Sequence, residues 1–203
     1  MKHTMEKDIQ ITIASEEHLV YVPVIEQALI KASRQKNTGI AVRSKSYLTE
    51  KIREGKSIIA FDQHDKWAGF CYIESWGHNR FVANSGLVIP PAFRGMGLAG
   101  EIKKRALELS KQLFPGAKLF GLTTSLAVMK INSRLGYHPV TFSELTNDEQ
   151  FWKGCETCPY YDILVRTRRT HCLCTAMILD PSEESRMNGK KHNSGARVKI
   201  NHT

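Results

Sequence analysis

The residues best suited to chemistry stand in the stretch Gly86-Leu-Val-Ile-Pro-Pro-Ala-Phe-Arg-Gly-Met-Gly-Leu-Ala-Gly100, where an aliphatic run meets two prolines, a glycine-punctuated turn and a helical pattern. Gly95 and Gly97 remove side chains where a ligand would approach the backbone, and free N–H groups at a helix start favour an anion. That arrangement suits a pyrophosphate, and Arg94 adds a cationic donor able to fork onto phosphate oxygens. A lone Gly-x-Gly also serves close packing, so the flanks must decide. A dinucleotide fold opens on its glycine turn, whereas three strand-like segments precede this one. A P-loop needs Gly-Lys-Ser/Thr, which is absent.

The second concentration of chemistry is sulfur. Four of the five cysteines lie in Cys155-x-x-Cys158 and Cys172-x-Cys174. Thiolates paired at short spacing on two arms are what a tetrahedral structural zinc site uses, and a cytoplasmic setting disfavours structural disulfides. The second pair is tighter than zinc-knuckle spacing, and His171 is an alternative ligand. Zinc and a reduced, redox-labile thiol cluster are therefore the two readings. Cys71, in an apolar run, reads as a small core residue. Trp152, Tyr160 and Tyr161 flank the cluster, either lining a pocket or covering the core.

Elements able to position these groups follow from periodicity. Ile9, Ile11 and Ile13 alternate with Gln10 and Thr12 as a strand, and Ser15 looks like the cap of a helix running to about Gln35, with Pro23 near its start or kinking it. Ser44 to Glu54 reads as a second helix closed by Gly55. Three strands follow, over Ser57 to Phe61, Ala68 to Glu74 and Phe81 to Ile89. Leu98, Ile102, Ala106, Leu109 and Leu113 fall at three- and four-residue spacings, predicting an amphipathic helix ended by Pro115-Gly116. Next come a strand over Leu119 to Thr123, a helix over Ser125 to Leu135, a strand over Pro139 to Phe142, a short helix over Asn147 to Lys153, and Thr175 to Leu179 as a strand that closes the sheet. The chain is expected to form one domain over residues 1–180, with 145–180 a cysteine-bearing extension that completes the sheet, followed by a disordered basic tail over 181–203.

Length and composition agree. The chain has 203 residues, 41% of them hydrophobic, enough for one good core. No run approaches the roughly 18 apolar residues of a membrane span, and the start carries no continuous apolar signal core, so no membrane partner and a cytoplasmic location are expected. The net charge of +9 is spread over Arg166, Arg168 and Arg169, over Arg186 to Lys199, and over Lys103, Lys104, Arg105 and Lys111 in the helix after Gly97. No basic stretch is interleaved with aromatics, so an anionic small molecule is expected in preference to nucleic acid.

On Val88-Ile-Pro-Pro-Ala-Phe-Arg-Gly-Met-Gly-Leu-Ala99, on Ser125 to Tyr137 with its ending Arg134-Leu-Gly-Tyr, and on the order of elements from Ile9 to about Phe142, the sequence resembles the GNAT superfamily of acyl-CoA-dependent N-acetyltransferases. The resemblance implies an α/β (α+β) fold: a mixed, mostly antiparallel sheet flanked by helices and splayed between its fourth and fifth strands. It implies acetyl-CoA as co-substrate, with the pantetheine arm pairing to backbone groups of Leu87, Val88 and Ile89 like an added strand. The pyrophosphate would rest on the amides of Arg94, Gly95, Met96, Gly97, Leu98 and Ala99. Ala92 stands where the pattern prefers Gln or Arg.

Direct transfer needs a neutral amine, a polarised thioester carbonyl and a proton donor for the leaving thiolate. Amides near Val88 can serve the carbonyl. Asn132 occupies the position where many members carry a tyrosine acid, and an amide there can bind the cofactor but not donate a proton as an acid. Tyr137 is the nearest phenol, but it begins a strand and is also readable as a core residue. Phe81 stands where members often carry a glutamate base, leaving Glu74 and His78 as the nearest titratable groups; each is also readable as a surface residue. In the segment from Asn37 to Ser44, Arg43 is either a partner for a substrate carboxylate or a surface arginine. The overall look is similar to acetyltransferases of the N-acetylglutamate synthase type, which implies a small-molecule amine acceptor, such as an amino acid of arginine biosynthesis, and a monomer or homodimer. The missing tyrosine and glutamate favour the alternative, a non-catalytic acyl-CoA-binding regulatory module.

Overall fold

The structure is a computed structural model and describes residues 8–35 and 38–183. Of the expected tail, residues 184–203 lie outside the described residues, as does Asn37 at the head of the segment that contains Arg43.

The alternating isoleucines form the edge strand β1 (Ile9–Ile13). The single helix expected after it divides: Glu16–Tyr21 wind as a 3-10 turn, and α1 (Val22–Ser33) starts afresh with Pro23 in its first turn, where a missing N–H costs nothing. The Ser44 hydroxyl accepts the Tyr47 amide at 3.3 Å and opens α2 (Lys45–Arg53). An antiparallel meander follows, β2 (Ser57–Asp62), β3 (Trp67–Trp76) and β4 (Phe81–Val88). Then come α3 (Leu98–Leu113), β5 (Lys118–Thr123), α4 (Leu126–Arg134) and β6 (His138–Val140). The cysteine-bearing stretch holds α5 (Glu149–Lys153), the unanticipated α6 (Tyr161–Arg166) and β7 (Thr175–Leu179).

The seven strands form one sheet in the order β1-β2-β3-β4-β5-β7-β6, antiparallel except for the β4–β5 pair. Period-two alternation divides its residues between two faces. Ile58, Ala60, Cys71 and Ile73 pack under α3, while Ile59, Phe61, Phe70 and Tyr72 join α1 and α2. Beyond β4, Phe120, Ala176 and Ile178 form a third cluster with Phe151 and Trp152 of α5 and Leu164 of α6. The extension thus contributes the strand between β5 and β6 and apolar cover over that part of the sheet. Among the described residues, no helix is long and apolar enough to cross a membrane.

Candidate active site

The site begins where two parallel strands part. β4 and β5 pair only through Phe81, Val82 and Ala83 against Lys118, Leu119 and Phe120, although β4 runs on to Val88 and β5 to Thr123. A bulge accompanies the separation: Phe70 pairs with Val88 and Tyr72 with Ser85, so Gly86 and Leu87 together oppose Cys71. Gly86 has φ +64°, and a Cβ there would lie 2.3 Å from Cε1 of Tyr72, so only glycine fits.

The gap opens a cavity of about 220 Å³ that passes through the sheet. On the α3 and α4 side its wall includes Lys103, Ser125, Val128 and Asn132. Asn84, Gly86, Leu87, Gly121 and Thr123 form its waist, and Arg43, Tyr72, Glu74, Trp76, Phe120 and Tyr160 line the opposite mouth. Asn132 is 1% exposed, and its Oδ1 has no hydrogen-bond partner among the described residues. A buried acceptor left unpaired is costly, and this one belongs to a residue of the cavity wall.

Beside the cavity, the glycine turn has the predicted form. Gly95 and Gly97 take φ +78° and +79°, and a Cβ on either would meet nothing within 4 Å. Among the described residues, no backbone carbonyl takes up the amides of Gly95, Met96, Gly97, Leu98 or Ala99. They lead into a 16-residue helix whose dipole adds to their field. Arg94 donates from Nε to the Ile89 carbonyl at 3.0 Å, bracing the turn and leaving its other nitrogens exposed. Val88 is buried against Phe70, and Ile89 packs on the core under α3.

At the opposite mouth a polar network holds Arg43 and Glu74 in place, with Lys51 behind them. Arg43 donates from Nε to the Tyr72 hydroxyl at 2.9 Å and from Nη1 to the Gly154 carbonyl at 2.9 Å, and its guanidinium lies 5.3 Å from the Tyr47 ring centroid. Burial opposes its charge, but Tyr72, Tyr47 and Glu74 outweigh that and raise its pKa. The Tyr47 hydroxyl donates to Glu74, whose other oxygen lies 3.3 Å from Lys51 Nζ. Burial, then Tyr72 and Glu74, push the Tyr47 phenol far above its ordinary range, so it stays a donor. An arginine and a carboxylate thus face one cavity from fixed positions. The sequence reading found both but missed Tyr47, Tyr72 and Lys51, because helix-to-sheet facing is not encoded in any local spacing.

Two expected catalytic residues are not brought to the cavity. His78 sits in the β3–β4 turn with φ +58° and is exposed, because that turn lies before the start of β5, at the end of the strands away from their parting. Tyr137 is 2% exposed on the α3 side, where its hydroxyl donates to Asn84 Oδ1 at 2.9 Å, so it stands behind the cavity wall. The zinc expectation is also corrected. Cys155, Cys158, Cys172 and Cys174 all line the cavity as free thiols, yet among the described residues no group of three or more His, Cys, Asp or Glu could hold a metal ion. Burial pushes Cys155 up to about 11, and burial and neighbouring thiols raise Cys174 further, so both stay protonated at neutral pH, as apolar surroundings dictate.

No protein-family model matches the sequence, and no curated protein matches it. The fold does match solved structures. One is Rv2747 from Mycobacterium tuberculosis in complex with CoA and NLQ, with a TM-score of 0.61, 18% identity, and coverage of 84% of this chain and 98% of that one. Another is N-acetylglutamate synthase from Neisseria gonorrhoeae complexed with coenzyme A and N-acetyl-glutamate, with a TM-score of 0.61 and 14% identity over 86% of this chain; this chain spans 35% of that protein's length. A third is a GNAT superfamily phosphinothricin acetyltransferase from Sinorhizobium meliloti in complex with AcCoA, with a TM-score of 0.57, 12% identity, and coverage of 85% and 88%. At such identities the likeness is one of fold: a seven-stranded mixed sheet, parted at its parallel pair, of the GNAT type.

Proposed function

We propose that the chain is an acetyl-CoA-dependent N-acetyltransferase that moves an acetyl group to the primary amine of a small molecule by direct attack on the thioester. The observation that carries this reading is the cavity through the parted sheet, with unpaired amides on one side and an arginine and a carboxylate on the other.

The residues fit acetyl-CoA. Its pyrophosphate suits the amides from Gly95 to Ala99, the expected Arg94 amide being already taken by the Pro91 carbonyl at 3.3 Å, and the chain at Leu87, Val88 and Ile89 is free of β5 to pair with the pantetheine arm. The orphaned Asn132 Oδ1 suits an amide N–H of that arm. Acetyl-CoA supplies a thioester, an acyl group already activated for attack. The chain's own residues then have three tasks. They hold the carbonyl beside backbone donors of β4, exclude water with the apolar wall, and accept the amine's proton. Among the described residues Glu74 is the one carboxylate lining the cavity, which makes it the base in this reading.

Arg43, anchored on Tyr72 and Gly154 at the acceptor mouth, is the partner for an acceptor carboxylate, which favours an amino acid of the arginine-biosynthesis class among small amines. The missing tyrosine and glutamate of the fold's usual pattern keep one other reading alive, an acyl-CoA-binding module without turnover. Mixing the full chain with acetyl-CoA and a panel of amines, glutamate and ornithine among them, and following free thiol separates the two. Acceptor-dependent release of CoA is the expected result; cofactor binding with no release would assign the module.

A further inference from the structure

Lys103 was grouped by sequence with the outward cations of its helix, yet it faces inward. Lys104, Arg105 and Lys111 are exposed, whereas Lys103 is 2% exposed and belongs to the cavity wall together with Asn84, Gly121 and Asn132. Its Nζ lies 5.6 Å from the Tyr137 ring centroid, and among the described residues no carboxylate approaches it within ion-pair distance. An ammonium taken out of water without a counter-ion is costly, so a buried lysine in such a place either sheds its proton or awaits an anion. In the acetyltransferase reading, the anion that forms within this cavity is the departing thiolate.

We propose that Lys103 is the proton donor to the thiolate that leaves when the acetyl group is transferred. The inference rests on the acetyltransferase reading above and supplies the acid that Asn132 and Tyr137 cannot. The acceptor's neutral nitrogen forms a bond to the thioester carbonyl carbon, and the carbon–sulfur bond breaks with its electron pair on sulfur. Lys103 Nζ gives a proton to that sulfur, yielding CoA with a free thiol and a neutral amine. The acceptor nitrogen loses its extra proton to Glu74, and solvent returns Lys103 and Glu74 to their starting states.

The surroundings suit the task. Burial alone lowers the Lys103 pKa, and an anion arriving beside it opposes that, so the ammonium keeps its proton best when the sulfur carries charge. The titratable groups around it are Cys71 of β3, whose thiol burial pushes up to about 11, and Tyr137, whose phenol burial raises; both stay neutral. Asn84 of β4 and Asn132 of α4 are uncharged. The other ionisable residues of α3 lie on its exposed side, so the approach of the sulfur is the main perturbation Lys103 meets.

The test reads the thiol itself. The ultraviolet thiolate absorbance of CoA bound to the full chain is titrated against the desulfo-CoA complex, for the wild type, K103M and K103R. In the wild type, the bound thiol is expected to titrate about one pH unit or more below its value in K103M. K103R is expected to keep that shift by its charge but not to restore turnover, which falls about 100-fold in both variants. A wild-type bound thiol titrating at or above the value of free CoA overturns the assignment, and that reading needs no variant to fold. So does a preference for succinyl-CoA over acetyl-CoA that K103M abolishes, because Lys103 would then recognise an acyl carboxylate. Failure of CoA to bind the wild type overturns the functional reading itself, whereas binding with an unshifted thiol overturns the donor alone.

Discussion

Glu74 illustrates what burial within a network does for a single carboxylate. One oxygen accepts from Tyr47 and the other faces Lys51, so the side chain is fixed at the cavity mouth instead of sampling solvent. Lys51 is itself held charged: burial opposes its ammonium, but Glu54 and Glu74 outweigh burial and raise its pKa. Glu74→Gln keeps the shape and removes the proton acceptor. Its kcat/KM is expected to fall about 100-fold near neutral pH. The deficit should narrow at high pH, where the acceptor amine is already neutral. The pH profile of the two proteins checks this, and identical profiles would remove Glu74 from the mechanism. At this scale the sequence disclosed residue types well and orientations poorly. Glu74 and His78 stand four residues apart and looked equivalent, but one lies on an inward-facing strand position and the other on an exposed hairpin tip. Lys103 and Lys104 are neighbours with opposite surroundings, a difference decided by where the helix rests.

At the scale of elements, the decisive feature is the bulge that bends β4 away from β5. Gly86 combines a left-handed φ with a Tyr72 ring where a Cβ would go. Gly86→Ala is therefore expected to destabilise the fold by roughly 1–3 kcal/mol, through strain and overpacking together. A lowered urea midpoint at unchanged slope checks it. Elements set by local pattern were readable in the sequence. α3 begins after Gly97 and ends before Pro115, as its apolar spacing indicates, and Ser125 caps α4 with a bond to the Val128 amide. Elements set by distant partners were not. Nothing local shows that β7 would insert between β5 and β6, or that α6 forms in a segment rich in cysteine and tyrosine. Both depend on apolar surface supplied by Phe120 of β5, far away in sequence, together with Phe151 of α5.

For the whole molecule, the sheet must hold β4 and β5 apart at one end while their starts stay paired. Below the gap, Lys118 Nζ meets Asp180 Oδ2 at 2.7 Å, joining the start of β5 to the end of β7. Burial disfavours the Asp180 charge, but the bonds from Lys118 and Ser182 outweigh it and bring the carboxyl down to about 2 from an ordinary 3.8. A folded value below the unfolded one means the stabilisation is full above about pH 4 and disappears as the pH falls through 2. Asp180→Asn is expected to lower stability by about 1 kcal/mol or less at pH 7, and the two urea transitions should converge near pH 2. Part of the net charge of +9 stands at the glycine turn and on the exposed cations of α3, where the proposed function would dock its anionic cofactor. The same geometry makes one measurement decisive for the molecule as a whole: calorimetric titration of CoA into the full chain at low and at high salt. A one-to-one complex that weakens as salt rises is expected if the amides and cations at the parted strands hold the pyrophosphate; no binding at millimolar CoA at either salt concentration would contradict it.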